Sequence, residues 1–175
     1  MTKIYVDPDI EKAETLPAVF YRSNSYFDEL KEKVFVKSWQ FVGHESILPI
    51  NINTYPFEFI KNYIEEPLLL VKNEDEKIIC LSNVCTHRAN IIINNKGNVR
   101  DLRCMYHGRK FNLDGTFKSM PEFSLAKEFP RVCDDLKEFP TANLGPFIFV
   151  GLEPSFDFES VCSKINKRIS FLPMD

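Results

Sequence analysis

Two short segments, each with one cysteine and one histidine, constrain this chain more than any other feature. One residue separates Cys85 from His87, two residues separate Cys104 from His107, and residues 88–103 lie between the two boxes. Together they take two of the five cysteines and two of the three histidines. Thiolate and imidazole groups are typical ligands of zinc and of iron. The spacing therefore predicts a metal site formed by both boxes.

The order of the ligands bears on which metal they hold. Zinc fingers usually keep their cysteines together and their histidines together, each pair flanking a turn. Here each box carries one residue of each type. That order suits two adjacent irons of different ligation, with both thiolates on one and both imidazoles on the other. A structural zinc site in a non-redox interaction domain is the alternative.

The sequence around the boxes resembles a known family. "CTHRA", "CMYHGRKF" and "LDG" are similar to the cluster loops of Rieske proteins, and "SWQFVGHESILP" is similar to the segment that precedes them. Residues 25 to 153 resemble the N-terminal part of Rieske non-haem iron oxygenase α subunits. The resemblance implies a Rieske-type [2Fe-2S] cluster, with two thiolates on its inner iron and two imidazoles on its outer iron. The thiolates would come from Cys85 and Cys104, and the imidazoles from His87 and His107.

Two residues depart from the family pattern. Ala89 stands where the family often has Gly, and Arg109 stands where many members have Trp. We expect the first to change the loop geometry slightly and the second to alter the packing beside His107.

Four neighbours of the ligands are candidates for contact with the cluster: Arg88, Tyr106, Gly108 and Arg109. Arg88 would face a partner, stabilise the reduced cluster, or be an ordinary surface residue. Tyr106 and Phe111 are predicted to pack in the cluster loops.

The resemblance also bears on the reduction potential. High-potential Rieske proteins resemble one another in two features. Each of their boxes has a second cysteine, and the two are joined by a disulfide; a serine that donates a hydrogen bond follows the His-Gly pair. This chain has Asn90, Tyr106 and Arg109 at those positions. Without the disulfide and the hydroxyl donor, we expect a potential in the lower half of the Rieske range of about −150 to +300 mV.

The termini and the middle of the chain differ in their sequence patterns. Residues 1–38 are predicted to form an extended arm of 25 residues and then a helix over about Phe27–Val36, with Ser25 as its N-cap. Residues 39–153 are predicted to form short strands, including a hairpin in "LLLVKNEDEKIICLS" and a two-residue hairpin turn at Asp114-Gly115. Residues 154–175 return to helical spacing.

The fold class that these elements and the resemblance imply is mainly β. It is a Rieske-type antiparallel β-sandwich with an inserted cluster-binding subdomain at about 82–123, flanked by short helices at both ends.

Several function classes are disfavoured by composition. The net charge is −3 with no basic cluster, so no nucleic-acid partner is expected. No apolar run reaches the roughly 18 residues of a membrane span, and the N-terminal residues include no apolar h-region, so secretion is not expected. We expect a cytoplasmic protein without disulfides, in which Cys80, Cys133 and Cys162 are small core residues.

The histidine count limits the chemistry of this chain. In the family that this chain resembles, a complete oxygenase also has a second, mononuclear iron, which two histidines and a carboxylate hold. Only His44 remains after the cluster ligands, and it is predicted to lie in a turn or on the surface. The chain alone should carry electrons without activating oxygen.

The preferred interpretation is the Rieske domain of an oxygenase α subunit. It would pass electrons from a reductase or ferredoxin to a catalytic iron domain, usually that of a neighbouring protomer. A self-standing Rieske ferredoxin is the alternative. The 84 residues before Cys85, and a chain that stops where a catalytic domain would begin, favour the first.

Overall fold

The strands of the chain form three antiparallel sheets. The computed structural model describes residues 4–123 and 125–172, and within them ten strands form sheets of order β1-β10-β9, β2-β3-β4-β8 and β5-β6-β7. The expected mainly β fold is confirmed. The strands are β1 Gln40–His44, β2 Thr54–Ile60, β3 Ile64–Lys72, β4 Ile78–Ser82, β5 Leu102–Arg103, β6 Lys110–Phe111, β7 Phe117–Ser119, β8 Glu138–Phe139, β9 Thr141–Leu144 and β10 Phe147–Val150.

Strand β3 is buried on both faces, which explains its uninterrupted apolar run. Leu68 and Leu70 pack into a core with Ile148 and Val150 of the first sheet. Leu69 points the other way, into a second core that contains both box cysteines. Since side chains alternate along a strand, a strand between two cores needs apolar residues at consecutive positions. The central sheet thereby links the sandwich to the predicted metal site.

The third sheet is small and depends on a tight turn. Residues 112–116 join β6 to β7, with Gly115 donating its N–H to the Asn112 carbonyl at 3.0 Å. Gly115 has a φ of +87°, and a Cβ there would lie 2.9 Å from Leu81 Cδ2. Glycine is therefore required by both the backbone and the space. The hairpin at Asp114-Gly115 is confirmed, but its predicted two-residue turn is wrong, because residues 112–116 separate the two strands. The hairpin of β3 and β4 is confirmed as well.

The N-terminal region is more helical than predicted. Helix α1 spans Ala18–Arg22 and α2 spans Asn24–Leu30, and a π-helical turn continues α2 over Lys31–Phe35. The predicted extended arm of 25 residues is therefore wrong in its last part. The predicted N-cap Ser25 is also wrong, because it lies inside α2. Ser23 is the capping residue, and its extended backbone separates the two helices.

The predicted C-terminal helix is confirmed as α3, Phe158–Ile169. Asp157 begins it by accepting a hydrogen bond from the Ser160 N–H at 2.8 Å. Phe158 packs edge to face on Trp39, with ring centroids 5.1 Å apart, which attaches the helix to the first sheet. The division of the chain at residues 38 and 153 stays a prediction. Among the described residues, none of the helices has the length and apolarity needed to cross a bilayer.

Candidate metal centre

The first box folds into a tight turn. Cys85 donates its N–H to the Asn90 carbonyl at 2.9 Å, and Ala89 donates its N–H to the Cys85 carbonyl at 3.0 Å. Ala89 adopts a φ of +52°, in the left-handed region that favours glycine. At the position where the family often has Gly, this loop therefore has a backbone that suits Gly.

The second box folds in the same way. Cys104 donates its N–H to the Arg109 carbonyl at 2.8 Å, and Gly108 donates its N–H to the Cys104 carbonyl at 3.0 Å. Gly108 has a φ of +77°, and a Cβ there would lie 3.3 Å from Pro121 Cγ. The role of Gly108 is therefore to let the chain turn back directly after His107.

The two turns bring the four predicted ligands together as two pairs. Cys85 and Cys104 are 3% and 2% exposed, and their thiols are hydrogen-bonded to each other. The rings of His87 and His107 meet edge to face with centroids 4.8 Å apart. His87 is half-buried and His107 is exposed. A buried cysteine pair thus lies beside a histidine pair that reaches the surface.

An unpartnered atom indicates that this site is built for a bound group. His87 Nδ1 is buried and makes no hydrogen bond, although buried ring nitrogens are normally satisfied. A metal ion would satisfy it. No three His, Cys, Asp or Glu side chains are grouped as ligands of one ion anywhere in residues 4–123 and 125–172. Each iron of a [2Fe-2S] cluster needs only two protein ligands, so the cysteine pair and the histidine pair fit such a cluster.

The environment shifts the pKa values of the first box. Burial raises the pKa of the Cys85 thiol, while a backbone hydrogen bond at His87 and the Arg109 guanidinium oppose the rise. Burial also lowers the pKa of His87, and the neighbouring charges of His107, Arg88 and Arg109 add to the effect. A lowered histidine pKa favours the neutral imidazole, which is the form that binds metals.

The residues predicted to surround the site differ in their placement. Tyr106 lies against the His107 ring with centroids 3.8 Å apart, yet it is 60% exposed. Phe111 is fully buried in the core beneath the cysteines. Arg88 is exposed, whereas Arg109 is buried. Tyr106 therefore packs against a histidine from the solvent side, whereas Phe111 packs in the core beneath the cysteines.

Two residues contact the boxes without having been predicted to do so. Asn90 places its Nδ2 3.7 Å from Cys104 Sγ, within hydrogen-bonding distance of a sulfur. Asp134 accepts a hydrogen bond from the buried Arg109 and another from Thr86, which lies between the first two ligands. Asp134 is one of two consecutive aspartates far along the chain, and no local pattern marks it.

The remaining cysteines and histidine have no part in the site. Cys80 and Cys162 are buried, as expected of core residues. Cys133 is exposed, so its predicted place in the core is wrong. It belongs to the 3₁₀ helix Val132–Asp134, of which Asp134 is the buried residue. His44 is exposed, as expected of a surface residue, at the end of β1, and its Nδ1 accepts a hydrogen bond from the Ser46 N–H.

Comparison with known proteins agrees with the site. The family model of the Rieske [2Fe-2S] domain matches residues 38–130. The carnitine monooxygenase oxygenase subunit of Escherichia coli (strain K12) is 30% identical over 146 residues, which are 83% of this chain and 38% of that protein. The chloroplastic choline monooxygenase of Beta vulgaris is 32% identical over 158 residues, covering 86% of this chain and 33% of that protein.

A solved structure gives the same result. The structure of a quaternary ammonium Rieske monooxygenase has a TM-score of 0.76 and 25% identity, covering 89% of this chain and 43% of that one. This chain thus spans well under half the length of the proteins it is similar to. Because the family model matches more than half of its 175 residues, the chain belongs to the Rieske [2Fe-2S] domain family.

Proposed function

We propose that this chain transfers electrons through a low-potential Rieske [2Fe-2S] cluster held by Cys85, His87, Cys104 and His107. The observation that carries the proposal is the convergence of a buried cysteine pair with a histidine pair in which His87 Nδ1 is buried without a partner. When bound, such a cluster takes up one electron and releases it again.

The chain's own residues suit this role. The buried Cys85 and Cys104 would bind as thiolates and keep their side of the site away from water. The exposed His107 and its stacking neighbour Tyr106 leave the other side open to a redox partner. The backbone turns at Ala89 and Gly108 would hold the two ligand pairs at a fixed separation.

We further propose that the chain acts as the Rieske domain of an oxygenase α subunit in the cytoplasm. Its electron donor would be a reductase or ferredoxin, and its acceptor a mononuclear iron in a catalytic domain of a neighbouring protomer. The relatives support this: one is an oxygenase subunit of carnitine monooxygenase, and the structure of another is described in terms of inter-subunit electron transfer. With only His44 left over, this chain has too few histidines for that second iron.

The test is a spectrum of the reduced protein. The chain is purified without oxygen and reduced with dithionite, its EPR spectrum is recorded, and iron and acid-labile sulfide are quantified on the same sample. A rhombic Rieske signal with about two irons and two sulfides per chain is expected. Zinc in place of iron, in protein also reconstituted with iron and sulfide under reducing conditions, would refute the proposal.

A further inference from the structure

A buried ion pair lies directly behind the second box. Arg109 is 2% exposed, and its Nη2 donates to Asp134 Oδ1 at 2.7 Å and to the Asp134 carbonyl at 3.1 Å. Three rings enclose the guanidinium, with its carbon 5.6, 5.0 and 5.6 Å from the centroids of Phe111, Phe117 and Phe129. The charge of Arg109 is therefore shielded from water and fixed in place.

Asp134 connects this arginine to the first box. Its carbonyl oxygen also accepts a hydrogen bond from Thr86 Oγ1 at 2.8 Å, and Thr86 lies between Cys85 and His87. Its Oδ2 accepts a hydrogen bond from the Arg131 N–H at 2.8 Å. Both boxes are thus attached to a single residue that belongs to neither.

The positive member of the pair belongs to the second ligand turn. Arg109 follows His107 by two residues, and its carbonyl accepts a hydrogen bond from the Cys104 N–H at 2.8 Å. Asp134 comes 25 positions later in the chain and contacts the first box only through its main-chain carbonyl. The cation is therefore the charge of the pair that is built into a ligand box.

Stability alone does not explain the presence of a buried ion pair. Replacing a buried ion pair by well-packed apolar residues is often neutral or stabilising, and here Arg109 Nε stays buried without a hydrogen-bond partner. The site therefore retains a charge whose burial is costly, beside ligands on which that charge acts.

We propose that Arg109, held by Asp134, is a positioning residue that fixes the two cluster boxes relative to each other and raises the reduction potential of the cluster. One electron enters from the donor, no bond forms or breaks, and the site gains one negative charge. A fixed cation in a medium of low dielectric constant stabilises that reduced state. This inference rests on the proposed electron-transfer function.

The test compares reduction potentials of cluster-loaded variants, measured by redox titration with EPR detection. In Arg109→Gln the equilibrium constant for reduction should fall at least tenfold, which is 59 mV for one electron. Asp134→Asn should shift the potential upward, since it removes the opposing charge. Arg109→Lys should keep the potential close to that of the unaltered chain. Arg100→Gln is the matched control, because Arg100 is exposed and its charge is screened.

The opposite signs separate charge from packing. If Arg109 and Asp134 had only a structural role, the reduction potentials of Arg109→Gln and Asp134→Asn would shift in the same direction or would not shift at all. Either result would overturn the inference. If the single Arg109 variant does not fold, the double variant Arg109→Gln/Asp134→Asn takes its place, and its potential must also fall. A missing Rieske signal in the unaltered chain would refute the proposed function, whereas a normal signal with unshifted variant potentials would refute only this inference.

Discussion

Ala89 and Gly108 occupy the same position in two turns of the same kind. Each follows a histidine by one or two residues, donates its N–H to the carbonyl of a cysteine four residues earlier, and has a positive φ. The two boxes thus have the same kind of backbone turn, with glycine at the position of positive φ in one and alanine in the other. An L-residue other than glycine in this conformation costs about 1–2 kcal/mol.

Ala89→Gly should therefore stabilise the protein. The strain relieved exceeds the extra entropy of glycine in the unfolded chain, about 0.4–1 kcal/mol, so the free energy of unfolding should rise by about 0.5–1 kcal/mol. For a chain of this size that corresponds to a melting temperature higher by about 1–4 °C. Ala142→Gly is the matched control, because Ala142 lies in the extended strand β9, where glycine should be destabilising. A lower melting temperature for Ala89→Gly would contradict the argument.

Removal of any one ligand should abolish the Rieske spectrum. Cys104→Ser takes away a thiolate and His107→Cys takes away an imidazole, and the mixed cluster requires two of each. EPR and visible spectra of the reduced and oxidised variants test this directly. His44→Ala is the control and should leave both spectra unchanged, since His44 is exposed at the end of β1 and belongs to neither box. A variant that keeps the full native spectrum would show that its residue is not a ligand.

The ligand boxes could be predicted from sequence because their chemistry is local. Each box is complete within six residues, and the alternation of cysteine and histidine sets it apart from a zinc finger. Asp134 could not be found in this way, because it reaches Arg109 across 25 positions and only the folded chain brings them together. Cys133 is predicted to be a core residue because free cysteines usually are, but a 3₁₀ turn points successive side chains in different directions. There, the buried direction belongs to Asp134.

Asn90→Ala should lower the reduction potential. The Asn90 amide lies within hydrogen-bonding distance of Cys104 Sγ, and hydrogen bonds to cluster sulfurs favour the reduced form. The loss of a bond worth about 0.5–1.5 kcal/mol corresponds to a decrease of about 20–60 mV for one electron. Redox titration of the two proteins measures it. Asn95→Ala, at an exposed position of the same loop, should leave the potential unchanged, and an unshifted Asn90→Ala would show that this contact has no electronic role.

Thiol labelling of the native, cluster-loaded protein should modify one cysteine per chain quickly. Cys133 is exposed, whereas burial raises the pKa of Cys80 and of Cys162 and keeps both out of reach of a reagent. Bound thiolates at Cys85 and Cys104 should be protected as long as the cluster is intact. The measurement is the rate of reaction with a chromogenic disulfide, and Cys133→Ser should abolish the fast phase. A fast phase that persists in this variant would place another thiol at the surface.

Asp134 should make the folded state sensitive to acid. The hydrogen bond from Arg109, followed by that from the Arg131 N–H, lowers the pKa of Asp134 below the value of about 3.9 for a free aspartate. A group with a lower pKa in the folded state contributes stability that is complete above the unfolded pKa and is lost as the pH falls towards the folded one. At pH 3 an unfolded aspartate is mostly protonated, so part of this contribution should be gone.

Urea unfolding of the protein and of Asp134→Asn at pH 6 and pH 3 measures this loss. At pH 6 the variant should be less stable by about 3–5 kcal/mol, because Arg109 is left buried without its counter-ion. At pH 3 the difference between the two proteins should be smaller, since acid disrupts the Arg109–Asp134 ion pair only in the protein that still has this carboxylate. An equal difference at both pH values would mean that the ion pair does not set the acid sensitivity of this fold.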